Sequence, residues 1–185
     1  MNKPVEAVPA IALPAPEERE AAVYARLSTL GIAWTTHSHA SVFTVQEARH
    51  LRGSLPGLHT KNLFLEDRKG EFWLVIAREE LAVDLNALAK RIGAPRFSFG
   101  KTEDMIALLG IEPGAVNAFA VMNDPDVRVT LVLDEVLAAG GIVNFHPMRN
   151  DRTTAILARD LVRFLEACGH APMIVALPEK SRADK

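Results

Sequence analysis

Lys61 and Asn62 stand side by side at the head of the apolar run Leu63-Phe64-Leu65. A lysine held there is a fixed cation for a phosphate, or for an oxyanion that develops during a reaction. Asn62 adds an amide with both donor and acceptor. In a regular strand the two side chains point to opposite faces, so both reach one pocket only if the strand begins irregularly. On its own, a lysine at a strand start is usually a solvated charge. A second segment, Gly110-Ile111-Glu112-Pro113-Gly114, reads locally as a helix stop and a Pro-Gly turn. Such a turn leaves the amides of Gly114, Ala115 and Val116 free to point at an anion or carbonyl, and small residues let a ligand approach the backbone. A third, Asn144-Phe145-His146-Pro147, places an imidazole at the end of an apolar run. Pro147 drives His146 toward an extended backbone. An imidazole there is commonly structural, but it can also bind an amino or hydroxyl group or move a proton near neutral pH. Asn150, Asp151 and Arg152 follow as turn residues or a polar rim.

Other arrangements carry less. His37 and His39 alternate and so share one strand face, but no third ligand accompanies them at metal spacing, and no metal is expected. Cys168-Gly169-His170 invites a thiol-imidazole reading, yet it falls at a helix end with Gly169 as the stop, which favours structural burial. Ser38, Ser41 and Ser54 lack the context of a nucleophile elbow. There is no Walker A loop and no dinucleotide fingerprint, so no cofactor is expected.

The elements that must position these residues follow from pattern. Residues 1–15, rich in Pro and Ala, read as a loose arm. Pro16 can open a helix carrying Val23, Leu27 and Leu30 at helical spacing, with Gly31 as its stop. Ile32 to Thr36 suits a short strand. Thr44 and Glu47 form a capping-box pattern for a helix to about Leu51. Lys61 to Glu66 and Glu71 to Ala77 read as a hairpin around Asp67-Arg68-Lys69-Gly70. Asp84 can cap a helix that Gly93 ends, and Thr102 another that Gly110 ends. Short apolar runs follow at Ala118 to Met122, Val127 to Leu133, Ile142 to Phe145 and Thr153 to Leu157. A last helix spans Asp160 to Cys168, and a last strand or tail Met173 to Leu177. Strands and helices intersperse without regular alternation, which favours an α+β fold with a mixed sheet over a doubly wound one.

The bulk numbers set limits. A chain of 185 residues with 49% hydrophobic and 24% charged residues suits one globular domain with a sizeable core. One cysteine leaves no internal disulfide framework and fits a reducing cytoplasm. No apolar run nears the roughly 20 residues of a membrane helix. Pro9, Pro14 and Pro16, with Glu6 and Glu17-Glu18-Arg19-Glu20, do not make a secretory signal. A formal net charge of -2 speaks against a long nucleic-acid groove and specific duplex DNA, while a short contact with a nucleic-acid end remains compatible.

Taken together and in this order, Lys61-Asn62-Leu63-Phe64-Leu65, the loop Gly110 to Gly114, and Asn144-Phe145-His146-Pro147 resemble the YbaK and prolyl-tRNA synthetase editing-domain superfamily. The likeness runs from about Leu30 to Ala167. The Lys-Asn pair and the Phe-His-Pro segment look most like its freestanding alanyl-tRNA(Pro) deacylases. The resemblance implies a single domain, residues 16–178, with a mixed, barrel-like sheet surrounded by helices and a tail at 179–185. It also implies hydrolysis of the ester of alanine mischarged on tRNA(Pro). Other members suggest the alternatives of Cys-tRNA(Pro) or Ser-tRNA, or a non-enzymatic nucleic-acid-binding module on the same fold. By the same resemblance Lys61 is the essential lysine, Asn62 and His146 its pocket partners, and the Gly114 to Val116 backbone the carbonyl-orienting element. Thr44, Ala115, Val116 and Phe145 would contact substrate. The substrate's terminal ribose hydroxyl is implied to assist, so no protein nucleophile is needed. An ordinary lysine pKa of about 10.4 makes Lys61 a cation and not a general base. Identical alanine on two tRNAs cannot be told apart by the amino acid, so the acceptor end must be read. Arg49, Arg52, Lys101, Arg149 and Arg152 flank the motifs and are candidates, each also readable as a solvated surface charge. The implied partners are the aminoacylated acceptor end of tRNA(Pro) and, transiently, prolyl-tRNA synthetase.

Overall fold

The computed structural model describes residues 12–39 and 55–180. Thr44, Arg49, Arg52, the helix expected from Thr44, and most of the arm and tail lie outside them. Helix α1 (Pro16–Thr29) begins where Pro16 loses nothing by lacking an N–H, with Glu17 and Glu18 in its first turn. Its core stripe is Arg19, Val23 and Leu27, spaced by four. Strand β1 (Thr35–Ser38) starts three residues later than the apolar pattern suggests. Strands β2 (Leu58–Asp67) and β3 (Phe72–Arg78) form the expected hairpin. The Asp67 carboxylate accepts from the amides of Lys69 (2.8 Å) and Glu71 (3.2 Å), and Gly70 takes φ +81.

Helix α2 (Leu85–Ile92) is capped by Asp84, which accepts from the amides of Asn86 and Ala87, and ends at left-handed Gly93. Helix α3 (Thr102–Leu109) ends at Gly110 as expected, but Lys101 occupies its N-cap and no side chain caps it. The apolar run at Ala118 winds into a 3-10 helix, Ala118–Asn123. Strands β5 (Val129–Asp134), β6 (Ile142–Phe145), β7 (Arg152–Leu157) and β8 (Met173–Val175) and helix α5 (Ala158–Ala167) follow the sequence pattern closely. Strand β4 (Phe97–Phe99) and the short helix α4 (Glu135–Ala139) do not appear in that pattern. Among the described residues, no helix is long and apolar enough to cross a membrane.

The sheet runs β1-β7-β6-β2-β3-β5-β8, with β4 also on β2, and mixes parallel and antiparallel pairs. Strand β2 divides it. Its start pairs with β6 (Leu58↔Val143, His59↔Asn144) and its end with β4 (Leu65↔Phe99 to Asp67↔Phe97), while β3 lies along its other edge. The Glu79 amide donates to the His59 carbonyl (2.9 Å) and the Gly100 amide to the Phe64 carbonyl (3.0 Å). Odd-numbered peptides of β2 therefore face β3 and even-numbered ones face away. The peptide of Asn62 points into the fork between β6 and β4, outside both registers.

Helices pack on one face of this sheet, where Asn62 and Thr60 stay half-buried. Phe64, Leu74, Ile76, Leu131, Val143, Phe145 and Ile156 meet Val23, Leu27, Leu109, Phe119 and Phe164 in the larger core. Burying each such side chain is worth about 1.5–3 kcal/mol. Among the described residues the other face is covered at one end, where Leu65, Val75, Ala77 and Val132 pack with Leu81, Leu88, Phe97 and Leu177. Gly57 sets the start of β2 against β6. Its φ is +101, and a Cβ there would lie 2.5 Å from the backbone oxygen of Ile142. Gly57→Ala combines a left-handed penalty of about 1–2 kcal/mol with overpacking of about 1–3 kcal/mol. Its denaturant midpoint should fall well below wild type; an unchanged midpoint would refute this close approach.

Candidate active site

The half of that second face away from the smaller core carries a polar group of side chains. Bridge partners share a face, and the pairs His37↔Thr153 and His59↔Asn144 fix it. Period two then adds His39, Lys61 and His146 to the same side. The His39 Nε2 lies 3.0 Å from the Thr153 hydroxyl, and the rings of His39 and His146 are 6.2 Å apart. His146 Nδ1 lies 2.9 Å from the Arg152 carbonyl. A carbonyl only accepts, so Nδ1 carries the hydrogen and Nε2 of the neutral ring is an acceptor. His59, Thr60, Asn144, Phe145, His146 and Thr153 line a recess of about 10 Å³, near the room that one water needs.

Local bonds hold this group. The Thr60 hydroxyl donates to the Asn144 carbonyl (2.8 Å), and Asn144 Nδ2 donates to the carbonyls of Pro56 (3.0 Å) and Leu58 (3.4 Å). Lys61 is half-buried and its ammonium donates to the Leu81 carbonyl. Burial lowers its pKa from the ordinary value, and Glu80 partly opposes this. Because β2 stays in register through Lys61↔Ala77 and Asn62↔Ile76, the strand does not begin irregularly. Asn62 therefore lies on the opposite face from Lys61, beside Phe64. Its Oδ1 is buried with no hydrogen-bond partner among the described residues.

The Gly110–Gly114 turn sits beside α1. Gly114 takes φ +89. The Ala115 amide donates to Glu112 (3.1 Å), so one of the three amides expected to be free is used inside the turn. Asn117 Nδ2 donates to the Ala115 carbonyl (2.7 Å) and to Met148 Sδ (3.4 Å), tying the turn to the segment after His146. Val116 packs on the larger core, and Phe145 stands edge-on to Phe119. Arg149 is engaged by Asp151, Glu20 and Glu17, and Arg152 by Glu20 and Ser38. Asp151 has its pKa held below the usual carboxylate range by that arginine. These pairs anchor the segment whose Arg152 carbonyl holds His146. Lys101 is exposed.

Two features escaped the sequence reading. His59 sits two residues before Lys61, the same alternation that His37 and His39 display. Arg19 occupies a core position of α1 with 6% of its side chain exposed, its Nη2 3.8 Å from Glu112 and its Nε and Nη1 without partners among the described residues. Its place on the Val23–Leu27 stripe was the available signal. His170 is buried with its ring nitrogens on the carbonyls of Val129 (3.1 Å) and Asp124 (2.9 Å), a structural setting. Among the described residues, no group of three or more His, Cys, Asp or Glu could hold a metal.

Residues 39–164 match the family described as Aminoacyl-tRNA editing domain. The chain is 38% identical over 152 residues to Prolyl-tRNA synthetase associated domain-containing protein 1 of Danio rerio, covering 81% of this chain and 83% of that one. It is 33% identical over 150 residues to Prolyl-tRNA editing protein ProX of Acetoanaerobium sticklandii, covering 80% and 92%. A solved structure proposed to be a trans-editing enzyme for prolyl tRNA synthetase shares the fold, with a TM-score of 0.67 at 20% identity over 91% of this chain and 100% of that one.

Proposed function

This chain belongs to the aminoacyl-tRNA editing domain family, and on that footing we propose that it hydrolyses the ester of alanine mischarged on tRNA(Pro). The observation that carries the reading is the polar face that bears Lys61 and on which His59, His146 and Thr153 line room for one water. Residues 16–178 form the catalytic unit and the cytoplasm is its compartment. Water adds to the ester carbonyl, the bond to the terminal ribose oxygen breaks, and that oxygen takes the proton as alanine leaves. Lys61 offsets negative charge on the carbonyl oxygen or neighbouring phosphate. His146, held by the Arg152 carbonyl, orients the water or the ribose hydroxyl, and that hydroxyl assists. Asn62, on the other face of β2 but beside the open fork between β6 and β4, and the turn at Gly114, Ala115 and Val116 bound the amino-acid end, with Phe145 beneath and Thr44 as a further contact. Arg49, Arg52 and Lys101 are left to meet the acceptor end, since carboxylates already hold Arg149 and Arg152.

The test is a time course with Ala-tRNA(Pro), Ala-tRNA(Ala), Gly-tRNA(Pro), Pro-tRNA(Pro), Cys-tRNA(Pro) and a serine-charged tRNA. Alanine on tRNA(Pro) should be released fastest and proline spared by overlap. Glycine should lag only modestly, because one missing methylene is worth about 1–3 kcal/mol. Faster release from Cys-tRNA(Pro) or a serine-charged tRNA would reassign the specificity, and release of proline at the alanine rate would overturn the reading.

A further inference from the structure

Phe99 is 69% exposed, the most exposed large hydrophobic side chain among the described residues. An aromatic left in water on a strand has no packing reason to be there, since Phe97, two residues earlier on the same face, is buried in the smaller core. Its register explains its place. Phe99 lies opposite Leu65 on β2, so it projects from the face that carries Leu63 and Lys61. Four residues at about 3.3 Å separate Lys61 from that position, roughly 13 Å along the strand. Strand β4 is held tightly there, because a Cβ on Gly100 would meet the Phe64 ring at 2.5 Å. The ring is thus presented on a rigid edge.

Its neighbours are cationic. Arg96 and Lys101 are both exposed, and neither forms an ion pair among the described residues. Glu103 and Asp104 nearby belong to the first turn of α3, where the helix dipole favours them. An exposed ring with a cation on either side of it in the chain, neither in an ion pair among the described residues, at one end of a fork that leads to Lys61, suits a base and its flanking phosphates.

We propose that Phe99 is a stacking platform for a base of the single-stranded 3′ end of the RNA, upstream of the terminal nucleotide whose ester lies at Lys61. This rests on the deacylase reading and adds a nucleotide subsite to it. Stacking on an aromatic side chain is sequence-tolerant and worth about 1–3 kcal/mol per base, or about 5- to 150-fold in affinity. The experiment compares wild type, Phe99→Ala and Phe99→Trp on an acceptor-stem RNA minihelix ending in an unpaired 3′ tail, and on the same minihelix with that tail removed. Binding is read directly, without hydrolysis. Phe99→Ala should weaken binding of the tailed RNA at least 5-fold, Phe99→Trp should preserve it, and the blunt RNA should bind all three proteins alike. Where wild type hydrolyses charged tRNA, the alanine variant should raise KM with kcat little changed. Equal binding of the tailed RNA by wild type and Phe99→Ala would overturn the platform. A wild type that releases no amino acid while Phe99 still governs tailed-RNA binding would overturn the deacylase reading and leave the platform standing.

Discussion

Lys61→Ala is expected to lower the single-turnover rate of deacylation at least about 100-fold, the scale seen when one donor to a developing oxyanion is removed. Folding should be nearly indifferent. The residue is half-buried and its ammonium has one backbone acceptor, the Leu81 carbonyl. Losing that bond costs about 0.5–1.5 kcal/mol. Lys61→Met keeps most of the aliphatic stem beside Leu63 and separates charge from packing. If both variants melt like wild type and neither hydrolyses, the charge is the active element. A wild-type rate in either removes Lys61 from the chemistry.

The same lysine makes a pH prediction with opposite signs in two measurements. Burial lowers its pKa in the folded protein, and Glu80 offsets only part of this. Between the lowered value and the ordinary one, near 10.4, the unfolded chain binds more protons than the folded one. Stability from this group therefore rises as pH climbs through that window. Activity that needs the ammonium falls over the same window. In Lys61→Met the stability gain should vanish, which a pair of denaturant melts at neutral and alkaline pH would reveal.

Local chemistry made much of the fold legible. Asp84 and Gly93 bracket α2 because a carboxylate and a left-handed glycine satisfy its two ends. The hairpin was readable because Asp67 and Gly70 supply turn chemistry between two apolar runs. β4 was not readable. Three residues have no period, and the strand exists because Leu65 to Asp67 pair with it. For the same reason the division of β2 between β6 and β4 could not be seen, since it depends on partners many residues away. The site shows the same split. Lys61 and His146 were legible as residues, whereas their common face with His59 and His39 required the register of four strands. Arg149 looked like a free cation because its carboxylates on α1 lie some 130 residues earlier in the chain.

Asn62→Leu should stabilise the protein while it impairs the reaction. The side chain lies on the larger-core face of β2 beside Phe64, and its Oδ1 is buried without a partner among the described residues. An unsatisfied buried acceptor costs about 1–3 kcal/mol. Leucine has a similar shape and no polar atom, so this cost disappears. For a domain of this size each kcal/mol moves Tm by about 2–4 °C, and a rise of several degrees is expected. The peptide of Asn62 also faces the fork between β6 and β4, where neither ladder uses it. An amide kept there at the expense of stability fits a group whose partner arrives with substrate. Deacylation should then fall at least about 10-fold, on the scale of about 1.5–3 kcal/mol for a lost hydrogen bond to a charged group. A higher Tm with full activity would show that Asn62 is a mere defect of packing. A lower Tm would show that its oxygen is satisfied in solution, and that β2 needs the amide for folding and not for catalysis.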